Sequence, residues 1–154
     1  MIAIRLPLIF IPDARSYVPP VKIDEIMRGA TVSRILASKS ASHPVGSLVT
    51  ATQGWTELAI VPAKHVEIVS LPSNGKPTDA LGVLGGTGLT AYFGIINVGE
   101  VKKGDFVVVS GAAGATGSVV CQIAKVKGAT VLGLAGSEDK VQVSSLMQGE
   151  RFVE

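Results

Sequence analysis

The stretch Asp105 to Leu134, DFVVVSGAAGATGSVVCQIAKVKGATVLGL, limits what this 154-residue chain can become. Phe106-Val107-Val108-Val109 is a run of apolar β-formers. It ends in a turn of small residues, Gly111-Ala112-Ala113-Gly114-Ala115-Thr116-Gly117. Val119, Val120, Ile123, Ala124 and Val126 then recur at spacings that predict one face of a helix. Gly128 stands where that helix stops, and Thr130 to Leu134 is a second apolar run.

A strand turns straight into a helix only where residues tolerate φ > 0 or lack a Cβ that would clash. Such a turn leaves bare backbone at the positive end of the helix, which suits a pyrophosphate. Strand, glycine turn, helix, strand is thus the first half of a dinucleotide-binding fold. Gly114 and Gly117 have the spacing of the second and third glycines of G-x-G-x-x-G. Ala112 occupies the first glycine position, and Gly111, one residue earlier, can relax the turn instead. The competing reading is a tight turn that serves helix-on-sheet packing alone.

Composition excludes several alternatives. Hydrophobic residues make up 47% of the chain and charged residues 17%, a globular rather than a disordered balance. A net charge of +2 and 5% aromatics give neither the field nor the stacking platforms of a nucleic-acid binder. The single cysteine, Cys121, rules out an intrachain disulfide and a Cys-rich zinc site, and its helical position reads as core. His43 and His65 fall in connections and read as surface residues, so no metal is expected. No Ser-His-Asp set or carboxylate pair supports hydrolysis. Met1 to Pro12 is apolar but too short to span a membrane, is interrupted by Pro7 and Pro12, and lacks a clear cleavage site. A cytoplasmic protein with no membrane partner is expected.

Before the central unit the chain reads as short strands: Thr31–Ala37, Ser47–Thr52, Trp55–Val61 and Val66–Leu71. Gly and Pro punctuate them, as in a small β-barrel or sandwich. Pro72 to Pro77 is the best domain boundary, giving domains 1–77 and 78–154. Asp79–Val83 starts a helical pattern that Gly85-Gly86-Thr87-Gly88 interrupts, and Leu89–Ile96 resumes it. No third strand is read after Leu134.

Four segments carry a family resemblance: DARSYVPP from Asp13, PVGSLVTATQGWTELAIVP from Pro44, GVLGGTGLTAYFG from Gly82, and Gly104 to Lys140. Together they resemble the prostaglandin reductase and 2-alkenal reductase branch of the zinc-independent medium-chain dehydrogenase/reductase superfamily. The resemblance implies an α/β architecture, an incomplete GroES-like β-rich domain followed by the first part of a Rossmann domain. It implies NADPH-dependent reduction of the C=C bond of α,β-unsaturated aldehydes or ketones, with a quinone reductase or a non-catalytic dinucleotide- or partner-binding module as alternatives. By motif, Gly114, Ala115, Thr116 and Gly117 would cradle the pyrophosphate, and Ser137 and Lys140 would face the ribose and its 2′-phosphate. Thr87, Thr90 and Tyr92 would lie near the nicotinamide and Tyr17 near the substrate. A homodimer is implied for the full-length fold.

The residues argue for NADP on their own account. NAD sites place an acidic residue about 20 positions past the glycines. Here Gly136-Ser137 leaves room for a phosphate and Lys140 supplies charge, with Glu138 and Asp139 close by. Met1–Pro12 and Gln142–Glu154 fall outside the resemblance, so the chain reads as a fragment of impaired activity. Asp24 also departs, standing where the family usually has glycine.

Overall fold

The computed structural model describes residues 21–137 and 139–140, and the backbone of 151–153. They fall into two compact units divided between Leu81 and Gly82.

The first unit is built on an antiparallel sheet of β1 (Thr31–Arg34), β2 (Leu48–Ala51) and β3 (Glu67–Ile68), in that order. Val32 pairs with Thr50 and Val49 with Ile68. Val32 and Val49 are buried, as is Ala80 in the short 3₁₀ turn Pro77–Leu81. The expected strand Trp55–Val61 does not form. The Trp55 amide donates to the Met27 carbonyl, in the segment before β1, at 3.0 Å, and the Thr56 amide turns back to Gly54 at 2.9 Å, so neither enters a sheet ladder. Leu58 and Ile60 are exposed, with no sheet face to fill. Asp24 has φ +69° at the third position of a turn closed by Glu25 N–H to the Lys22 carbonyl at 3.2 Å. Type II turns give that position to glycine, which accounts for the family's preference there.

The second unit opens with α1 (Gly86–Tyr92), which passes into a wider π turn over Phe93–Val98. The glycine run therefore begins the helix instead of interrupting it. Gly88 is buried close under the Val83 carbonyl, and its amide donates to Gly82. Next come β4 (Phe106–Ser110), α2 (Ala115–Val126), β5 (Thr130–Leu134) and β6 (Arg151–Val153). The three strands form one parallel sheet, β4-β5-β6, with Val109 opposite Gly133 and Gly133 opposite Phe152. The third strand corrects the sequence reading. At three residues it is too short to show a period.

Alternation along β4 and β5 decides which face is covered. Val109 and Val131 are buried with Val101, Ala112, Cys121 and Ala124 in one core, against which Val107, Val120, Ile95 and Ile96 pack. Phe106 and Val108, on the other face, are 67% and 54% exposed. The buried stripe of α2 runs through Val120, Cys121 and Ala124. Val126 was expected on that face, but it lies off the stripe and is exposed. Cys121 is a core residue, as expected.

Candidate functional site

The connection from β4 to α2 is shaped by two glycines. Gly111 has φ +63°, the left-handed region that a side chain disfavours. Ala112 can therefore occupy the first motif position while lying fully buried, its amide donating to the Leu134 carbonyl at 3.0 Å. Gly114 is the extended residue before α2, and its amide donates to Gly111 at 2.8 Å. At Gly117 an added Cβ would overlap the Gly111 carbonyl oxygen and stand 2.9 Å from its carbon. The third motif glycine is thus needed for packing the helix against its own turn. No side chain caps the N-terminus of α2, so the amides of its first turn are available to an acceptor.

A cleft of about 180 Å³ opens at the carboxyl ends of β4 and β5, lined by Gly111, Ala113, Gly114, Ala135, Gly136 and Lys140. That is where open parallel sheets bind ligands. A Cβ built on Gly111 or Gly136 meets nothing within 4 Å, so side chains there would project into open space. Bare backbone, a 12-residue helix start and one ammonium group fit a phosphorylated ligand.

Of the expected site residues, Gly114 and Lys140 share this cleft. Ala115, Thr116 and Gly117 form the first turn of α2 beside it. Ser137 follows Gly136 and is half-buried, while Asp139 and Lys140 are exposed. Thr87, Thr90 and Tyr92 lie on α1 and are not among the residues lining the cleft. Thr90 Oγ1 donates to the Gly86 carbonyl at 2.8 Å, leaving its lone pairs for a donor. Tyr92 is 50% exposed and meets Phe93 edge-to-face, with ring centroids 5.6 Å apart. Tyr17 lies outside the described residues. Ala113 and Ala135 were not singled out from sequence; their position at the ends of paired parallel strands is the signal that would have found them.

His43 is not the surface residue expected. It is half-buried, and its Nε2 lies 3.1 Å from the Val66 carbonyl oxygen. Among the described residues no three His, Cys, Asp or Glu side chains converge as a metal site would require. None of the described helices is long and apolar enough to cross a membrane.

Comparison with known proteins finds relatives among oxidoreductases. The N-terminal domain of oxidoreductase family matches residues 9–69. Prostaglandin reductase 1 of Bos taurus is 42% identical over 132 residues, 84% of this chain and 40% of that protein. The crystal structure of CurA in complex with NADPH, from Vibrio vulnificus, superposes with a TM-score of 0.81 at 43% identity, covering 92% of this chain and 42% of that one. The chain is similar to members of the zinc-independent medium-chain dehydrogenase/reductase superfamily. The NADPH-dependent curcumin reductase of Escherichia coli is a further relative, 38% identical over 138 residues, 89% of this chain and 39% of that protein. The first unit is GroES-like and the second is the opening part of a Rossmann domain. The chain spans about 40% of the length of the curated relatives it matches.

Proposed function

We propose that this chain contributes the GroES-like unit and the opening dinucleotide-binding unit of a cytoplasmic NADPH-dependent reductase acting on the C=C bond of α,β-unsaturated aldehydes and ketones. One observation carries the proposal: the glycine turn before α2 and Lys140 line a single cleft at the ends of two parallel strands. The names of the relatives, prostaglandin reductase and NADPH-dependent curcumin reductase, support the substrate class and the cofactor.

NADPH would supply the hydride that a polarised double bond accepts. Amides at Ala115 and Thr116 would bind the pyrophosphate, Gly114 would let it approach the bare backbone, and Gly117 keeps that turn tight. Ser137 and Lys140 would hold the ribose and its 2′-phosphate, where an acidic residue would repel it. Thr87, Thr90 and Tyr92 would orient the nicotinamide ring, and Tyr17 the substrate.

The test is NADPH oxidation by the purified chain, offered a small enal or a quinone. Faster oxidation with the enal is the expected result. Preference for the quinone contradicts the substrate assignment. Binding of NADPH without turnover favours the second reading, a non-catalytic dinucleotide-binding module. In Lys140→Ala the preference for NADPH over NADH should fall about tenfold, as for one lost charge-assisted hydrogen bond.

A further inference from the structure

The serine-rich turn between β1 and β2 holds a set of side chains that the dinucleotide cleft does not use. Ser38, Ser40, Ser42 and His43 follow one another closely in sequence. The His43 ring is engaged at both nitrogens. Its Nε2 faces the Val66 carbonyl oxygen at 3.1 Å. A carbonyl oxygen only accepts, so in the neutral ring the proton sits on Nε2. Nδ1 then carries a lone pair, and it lies 3.0 Å from Ser42 Oγ and 3.3 Å from Ser40 Oγ. The two hydroxyls are 2.9 Å apart. Ser40 is half-buried, and its own amide and carbonyl are both tied to Ser38 Oγ. Ser42 has the shorter contact to the ring and is exposed.

Hydroxyl, ring nitrogen and an acceptor that fixes the ring's tautomer, in series, is the arrangement that activates a nucleophile. Here a backbone carbonyl takes the orienting place that a carboxylate holds in serine hydrolases. We propose that Ser42 is an activated nucleophile with His43 Nδ1 as its base. It accepts acyl or phosphonyl groups from electrophiles that carry a good leaving group. The Ser42 Oγ–H proton passes to Nδ1 as Oγ bonds to the carbonyl carbon or phosphorus. The bond to the leaving group breaks with its electron pair, and Nδ1 returns the proton to water. Nothing is oxidised or reduced.

The full chain is treated with an alkyl fluorophosphonate, from which fluoride leaves, and modified peptides are mapped by mass spectrometry. Ser42 should react about tenfold faster than any other serine, a small part of what general bases give in enclosed sites. His43→Ala should bring it down to the common rate, while Ser40→Ala should leave it fast. In the unsubstituted chain, long-range proton–nitrogen NMR of the His43 ring should show the Nε2–H tautomer. A ring protonated at Nδ1, or a Ser42 no faster than the other serines, overturns the proposal.

Discussion

At Gly117 there is no room for a methyl group, because the Gly111 carbonyl already occupies the space. Gly117→Ala should therefore cost about 1–3 kcal/mol of stability, as overpacking does, read as a lower denaturant midpoint. Gly136→Ala is the contrasting change. Its Cβ meets no atom within 4 Å, so stability should stay within about 0.5 kcal/mol of the parent. Dinucleotide affinity should fall, because the methyl group projects into open space beside the cleft. Asp24→Gly should raise stability by up to about 1 kcal/mol, since it relieves a left-handed side-chain residue. The G-x-x-G spacing was legible in the sequence at this scale. The division of labour was not: backbone torsion alone identifies Gly111 as the left-handed residue, and only the packing around Gly117 ties it to the turn.

Helix α2 was legible from its helical period and strand β4 from its run of apolar β-formers ahead of a glycine turn. The alternation in β4 now has consequences that can be measured. Val109→Ala empties part of the core and should cost about 2 kcal/mol, whereas Val108→Ala, on the uncovered face, should stay within about 0.5 kcal/mol. Equal losses at both positions would show that the second face is also packed. Sequence reasoning failed where pattern and partner part company. Trp55–Val61 has the composition of a strand, yet its Trp55 amide bonds to Met27 and its Thr56 amide turns back to Gly54. The glycines at the start of α1 look like breakers, but the buried position of Gly88 under Val83 requires a residue without a side chain. His43 gave no sequence signal because its partner, Val66, is 23 residues away and contributes only its backbone.

In the Rossmann unit the described residues form the ligand end, while Phe106 and Val108 on one sheet face are exposed. Parallel sheets ordinarily have both faces covered. The cleft depends on features that this unit supplies itself: the β4–α2 turn, the end of β5 and Lys140. The proposed ligand of this cleft is a 2′-phosphorylated adenosine dinucleotide. Calorimetric titration of the purified chain with 2′-phospho-ADP-ribose and with ADP-ribose isolates that phosphate from the nicotinamide. The phosphorylated ligand should bind about tenfold more tightly, and that difference should vanish in Lys140→Ala. Equal affinities, or binding of neither ligand, would contradict the proposal.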